Sequence, residues 1–235
     1  MSHANPPACH LYLVSPLDVG GTFPARLERA LAAAPVAAFQ SRVKGLDQHE
    51  AARLAEPLQA ICAARDVAFI VNDSIALAKR LGADGVHLGQ GDGEVREARE
   101  VLGREAQIGV TCHASRHLAM EAGEAGADYV AFGSFFPSET KASEHRPEPE
   151  LLEWWSGLFE IPCVAIGGIT PGNCAPLVRA GADFLAVSGA QLPGVIPPIA
   201  TQGISNSPDH HSSSSGSGRC SLALVSLGKK LPNAT

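Results

Sequence analysis

Two aspartates follow short apolar runs of the chain, Asp73 after Phe69-Ile-Val-Asn72 and Asp92 after the segment 85–91. Carboxylates brought together from neighbouring segments make a hard-oxygen site of the kind Mg²⁺ takes, with water and ligand phosphate oxygens completing its shell. Asp73 has a second reading, as the cap of a helix beginning near Ile75. Upstream, Gln40, Arg42 and Lys44 alternate within residues 36–44. A strand of period two places all three on one face, where buried cations are costly unless anions meet them. An ordinary solvated strand end is the competing reading. Taken together, the residues favour a site for a metal and a phosphate-bearing ligand.

Other positions extend this chemistry. Thr111 and His113 follow another apolar run, and His113 reads as an acid, a base or a hydrogen-bonded wall residue. The segment Phe136-Pro-Ser138-Glu-Thr140-Lys141 offers two hydroxyls and a cation, as a lid over phosphate would, and equally as a surface loop would. Gly167-Gly168 allows close backbone approach to a ligand, and Thr170-Pro171 reads as an N-cap and first turn whose N–H groups suit an anion. Ser188-Gly189 supplies a similar small, donor-rich edge. His210-His211 lie in a Ser-rich tail and carry no weight as ligands.

Such residues converge only if the chain places them at one end of a common sheet. Apolar, β-rich runs occur at residues 10–15, 36–44, 67–72, 85–89, 108–112, 129–135, 163–168 and 184–188. Most are continuous rather than alternating, as expected of parallel strands buried on both faces. Helical patterns separate them. Leu27, Ala30, Leu31 and Ala34 share one face, and Asp47 with Glu50 resembles a capping box. Pro57 predicts a kink or break in the helix that follows. Gly82-Ala-Asp84, Gly126-Ala-Asp128 and Gly181-Ala-Asp183 repeat one helix-to-strand connection, with the aspartates read as structural caps. Eight such units predict an α/β fold, a (β/α)₈ TIM barrel over residues 10–190, whose active face is the carboxyl end of the strands.

Composition limits the alternatives. The 235 residues are 45% hydrophobic, enough for a large core. A net charge of −6 argues against a general nucleic-acid or anionic-membrane surface. No apolar segment approaches the roughly 20 residues that span a bilayer, and residues 1–10 carry no secretory signal. The six cysteines lack metal-binding spacing, four of them lie in apolar surroundings and read as reduced and buried, and a cytoplasmic location is expected.

Seven ordered segments resemble the thiamine phosphate synthase family, within the thiamine monophosphate synthase and thiazole tautomerase superfamily. They are Gln40-Ser-Arg-Val-Lys44, Phe69-Ile-Val-Asn-Asp73, Gly85-Val-His-Leu-Gly-Gln-Gly-Asp92 and Gly109-Val-Thr-Cys-His113. They continue with Gly126-Ala-Asp-Tyr-Val-Ala-Phe-Gly133, Pro137-Ser-Glu-Thr-Lys141 and Val164-Ala-Ile-Gly-Gly-Ile-Thr170. The resemblance implies coupling of 4-amino-5-hydroxymethyl-2-methylpyrimidine diphosphate with hydroxyethylthiazole phosphate, giving thiamine phosphate and pyrophosphate. It implies Mg²⁺ on Asp73 and Asp92, and diphosphate contacts from Gln40, Arg42, Lys44, Asn72 and Lys141. Ser138 and Thr140 would bind the thiazole phosphate, with Gly168 and Ser188 completing anion binding. Thr111 would sit by the reacting centre, so that Thr111 and Lys141 are the catalytic candidates.

Small phosphorylated molecules are the partners so implied, with a homo-oligomer left open. Ser41, Val43, Gly91 and Ser138 depart mildly from the family pattern. Residues 191–235, rich in Ser, Pro and Gly, stand where the family has an eighth helix, and read as largely disordered. Two other readings remain at this point. One is a thiazole tautomerase using His113, and the other is a silent phosphate-binding barrel impaired by its altered end.

Overall fold

In the computed structural model, which describes residues 9–137 and 146–188, eight parallel strands close into a barrel in sequence order. The strands are β1 (His10–Val14), β2 (Val36–Ser41), β3 (Ala68–Asn72), β4 (Gly85–Leu88), β5 (Gln107–His113), β6 (Tyr129–Gly133), β7 (Cys163–Ile166) and β8 (Phe184–Ser188). Seven helices cover them, namely α1 (Phe23–Ala33), α2 (Gln48–Ala63), α3 (Ile75–Leu81), α4 (Val95–Leu102), α5 (Arg116–Glu124), α6 (Glu150–Leu158) and α7 (Ala175–Arg179). The tail 191–235 lies outside the described residues. The barrel closes without reference to it, because β8 pairs with both β7 and β1.

Alternation along each strand sorts the core into two. Leu13, Phe39, Phe69, Val86, Ile108, Phe132 and Leu185 face the helices, whereas Tyr12, Ala38, Ile70, Tyr129, Val164 and Phe184 form a separate cluster in the barrel interior. Gly109 makes room in that interior. A Cβ built there would lie 2.0 Å from the Tyr129 ring, so the tyrosine occupies the space a side chain on β5 would need.

The second strand is shorter than its alternating pattern implies. It stops at Ser41, whose last partner is Val71 on β3. Beyond Val14 of β1 the ladder is ended by Ser15, whose N–H bonds the Gln40 carbonyl while its hydroxyl accepts from the Arg42 N–H at 2.8 Å. Residues 42–44 therefore leave the sheet, and Lys44 is free of any strand register. Likewise β6 ends at Gly133 and β7 at Ile166, short of the expected 135 and 168. Pro57 neither breaks nor ends α2, which runs through it with the proline on its exposed face.

The three repeated aspartates are strand clamps. Each carboxylate accepts the N–H of the preceding strand, Asp84 from Phe69 at 2.8 Å, Asp128 from Ile108 at 2.7 Å and Asp183 from Cys163 at 2.8 Å. The backbone N–H of each aspartate returns a bond to the same residue's carbonyl. Neighbouring strands β3–β4, β5–β6 and β7–β8 are thus tied at the amino end of the barrel. Arg99 reinforces one clamp, donating to Asp128 at 2.5 Å and to the Ala106 carbonyl at 2.6 Å. Asp128→Ala strips the charged acceptor from both Arg99 and Ile108. Its expected cost is about 2 kcal/mol, on the order of 5 °C in Tm by thermal unfolding. An unchanged melting temperature would refute the clamp.

Candidate active site at the carboxyl ends of the strands

Asp73 leaves β3 with φ +66, and its N–H bonds the His87 carbonyl of β4 at 2.8 Å. That turn carries its carboxylate toward the β3–β4 gap. The helix-cap alternative falls away here, because the capping bond of α3 is made by Ser74, whose hydroxyl accepts from the Leu77 N–H at 3.1 Å. Asp73 Oδ2 instead meets Lys44 Nζ at 2.7 Å. Asp92 comes into hydrogen-bonding contact with Asp73 from the loop after β4. Loss of solvent, then the hydrogen bond and charge of Asp73, raise the Asp92 carboxyl above its usual range. The Gly89 N–H, 3.1 Å from Asp92 Oδ2, and Lys44 pull the other way. A Cβ at Gly89 would fall 2.5 Å from Asp92 Oδ2, so a side chain there would displace that carboxylate.

The other candidates are distributed as follows. Asn72 closes β3 opposite His87, half-buried. Arg42 is half-buried where the chain leaves the sheet. Thr111 ends the inward row of β5, and its carbonyl accepts from Gln90 Nε2 at 2.6 Å. Ser188 is exposed at the end of β8, beside Val14 of β1. His113 lies at the exposed end of β5 with φ +51. Ser138, Thr140 and Lys141 lie outside the described residues.

Gln40 differs in depth from its sequence neighbours. It is only 5% exposed and points into the barrel, where Nε2 donates to Tyr12 Oη at 3.0 Å. Tyr12 and Tyr129 hydroxyls are 2.9 Å apart, and His87 Nδ1 is 3.1 Å from Tyr129 Oη. His87 Nε2 reaches Thr111 Oγ1 at 2.8 Å. Sequence pattern alone does not single out His87, Tyr12 and Tyr129. The available signal was a polar residue at an inward position of an apolar strand, as in Gly85-Val-His-Leu88. Burial lowers the His87 pKa to about 4, against a smaller opposing effect of Asp73, and raises the Tyr12 pKa to about 12. His87 is therefore neutral in the folded protein at neutral pH.

This burial has a measurable sign. Below the usual histidine pKa of 6.5 the unfolded chain takes up a proton that folded His87 refuses until about pH 4. Stability contributed by neutral His87 is thus present above pH 6.5 and lost as pH falls toward 4, by about 3 kcal/mol in all. Denaturant titrations of His87→Gln should show a shallower decline over that window. An identical slope in both proteins would contradict it.

The seventh strand ends in a tightly packed turn. Gly167 and Gly168 take φ of 103° and 62° and let the protein's own chain approach them closely. A Cβ at Gly168 would lie 2.4 Å from the Pro137 carbonyl oxygen, and one at Gly167 would lie 2.1 Å from Ser134 Oγ. Bonds from Phe135 N–H to Ile166 and from Phe136 N–H to Gly167 hold that segment in place. The expected N-cap at Thr170 is corrected, because Thr170 does not cap a helix. Its N–H is taken by Asn173 Oδ1 at 2.7 Å, and α7 begins only at Ala175. Asn173 also donates to the Gly168 carbonyl at 2.9 Å, so this side chain braces the turn.

Comparison with known proteins agrees with this geometry. A family model described as thiamine monophosphate synthase matches residues 11–190. A thiamine-phosphate synthase of Erythrobacter litoralis is 78% identical over 188 residues, covering 78% of this chain and 88% of the relative. One from Rhodospirillum centenum is 53% identical over 182 residues, covering 77% and 88%. Among solved structures, thiamine phosphate pyrophosphorylase of Pyrococcus furiosus superposes with a TM-score of 0.68 at 30% identity, over 77% of this chain and 86% of that one.

Proposed function

The chain belongs to the thiamine monophosphate synthase family, and we propose that its strand ends couple a pyrimidine diphosphate with hydroxyethylthiazole phosphate. The products are thiamine phosphate and pyrophosphate. It is a transferase, and residues 10–190 are its catalytic barrel.

The observation that carries the reading is the Lys44–Asp73–Asp92 cluster. Two carboxylates in contact, one of them held above its usual range, make a site that a divalent cation relieves. Among the described residues no cluster of three or more His, Cys, Asp or Glu forms, so a metal here draws its remaining ligands from water and phosphate. That donor set suits Mg²⁺. When bound, Mg²⁺ would neutralise charge on the departing diphosphate.

The chain's own residues do the rest. Lys44 stands close enough to exchange its carboxylate partner for a diphosphate oxygen. Arg42, Asn72 and Lys141 add donors to the same group, and Gln40 shapes the interior beneath it. Ser138 and Thr140 take the thiazole phosphate, with Gly168 and Ser188 at its edge. Thr111 faces the reacting methylene, and Lys141 steadies the charge of the leaving group. Bond formation needs no protein nucleophile. The thiazole nitrogen attacks the methylene carbon as its bond to the diphosphate oxygen breaks, and that oxygen carries the electron pair away.

The thiols fit such a role-free reading, because burial raises the Cys62 and Cys112 pKa values to about 12. The partners are small phosphorylated molecules. Among the described residues no helix is long and apolar enough to cross a membrane. A cytoplasmic location and self-association are part of the proposal. Release of pyrophosphate should require both substrates and Mg²⁺ together. Release from the diphosphate alone, or none from folded protein, would overturn the assignment.

A further inference from the structure

Five polar side chains cross the barrel interior in an unbroken line, contributed by five different strands. They run from Gln40 through Tyr12, Tyr129 and His87 to Thr111, with gaps of 3.0, 2.9, 3.1 and 2.8 Å. Gln40, Tyr12, Tyr129 and His87 are all buried. A line of this kind has two possible directions, since each hydroxyl has a single hydrogen to give and two neighbours in the line to give it to.

The Gln40 end settles which direction applies. Its Nε2 group can only donate. Tyr12 Oη accepts that hydrogen, so its own hydrogen must turn to Tyr129. Tyr129 in turn donates to His87 Nδ1, which is therefore the bare nitrogen of the ring. His87 Nε2 then carries the hydrogen and gives it to Thr111 Oγ1. The opposite order would aim the Tyr12 hydrogen at the amide hydrogens, setting two donors face to face in a buried site.

We propose that Gln40 fixes the proton order of this line, so that Thr111 presents a hydroxyl hydrogen rather than a lone pair to the ligand at the strand ends. Gln40, Tyr12, Tyr129 and His87 are then positioning residues acting through Thr111. The ligand atom met by Thr111 is a hydrogen-bond acceptor, such as a ring nitrogen or a phosphate oxygen. Its identity rests on the synthase reading, whereas the proton order belongs to the ligand-free protein.

The test is the tautomer of His87 in the full chain, read by long-range proton–nitrogen NMR with ¹⁵N-labelled histidine at pH 7 and assigned through His87→Asn. The native protein should show hydrogen on Nε2 alone. Gln40→Met removes the fixed donor, so both tautomers should appear, and Tyr12→Phe should do the same if the first variant folds poorly. Hydrogen on Nδ1 in the native protein would overturn the proposal. So would a native-like single tautomer in the variants. Thr111→Val should raise the KM of one substrate about tenfold, the loss of roughly one hydrogen bond, and Thr111→Ser should restore it. Equal KM values for the two variants would count against a donor role. The NMR arm uses no substrate, so its failure leaves the coupling activity standing, and absent coupling leaves the tautomer result intact.

Discussion

Asp92→Ala is expected to lower kcat/KM for coupling on the order of 10³-fold while leaving the melting temperature unchanged or slightly higher. The two halves of that result have different causes. A carboxylate that helps hold a divalent cation on the diphosphate contributes several kcal/mol to stabilising transition-state charge, and about 1.4 kcal/mol is tenfold in rate. The same carboxylate is a burden on the ligand-free fold. It lies against Asp73, and its raised pKa means that the folded protein disfavours its charged form. Removing it relieves that contact and, among the described residues, strips an acceptor from the Gly89 N–H, which solvent can reach. Steady-state kinetics with thermal unfolding reads both. A variant that loses activity and stability together would show that Asp92 is a structural residue.

Gly109→Ala should be among the most damaging single substitutions in the barrel, with a cost of at least about 3 kcal/mol. The added methyl would stand 2.0 Å from the Tyr129 ring. The ring cannot retreat. It stacks on His87 at 5.6 Å, meets Tyr12 edge-on at 6.0 Å and holds hydrogen bonds to both through its hydroxyl. Thermal unfolding should show a drop on the order of 10 °C. Pairing the substitution with Tyr129→Leu should recover part of it, because the ring that creates the conflict is gone. A tolerated Gly109→Ala would mean that the interior repacks freely.

The strands were legible because parallel strands covered on both faces are continuous apolar runs, and the clamps were legible because Gly-Ala-Asp recurs at fixed places. The length of the second strand was not. Alternation through Gln40, Arg42 and Lys44 looks the same whether or not a neighbour is there to pair with, and β1 and β3 supply none past Ser41. Asp73 and Asp92 could be nominated from their strand-end positions, yet only the bond from Leu77 to Ser74 separates a ligand from a cap. The line through His87 was hidden for a topological reason. Its members are 12, 40, 87, 111 and 129 in sequence, and an inward polar residue on one strand gives no sign of what faces it from across the barrel. Gly167-Gly168 was legible as a place of close approach, but the sequence does not show that Ser134 and Pro137 of the preceding segment pack against it.

The aspartate clamps have a consequence for how this molecule tolerates change. They hold the barrel from the end opposite the carboxylate cluster, and strands of four to seven residues lie between. At about 3.3 Å per residue, that is on the order of 15 Å, beyond the roughly 10 Å over which substitutions ordinarily couple. The barrel therefore works as a chassis with a separate tool head. On the proposed function, damage at Asp84, Asp128 or Asp183 is paid in folding and damage at Asp73 or Asp92 in turnover, so that a lineage can revise one end without renegotiating the other.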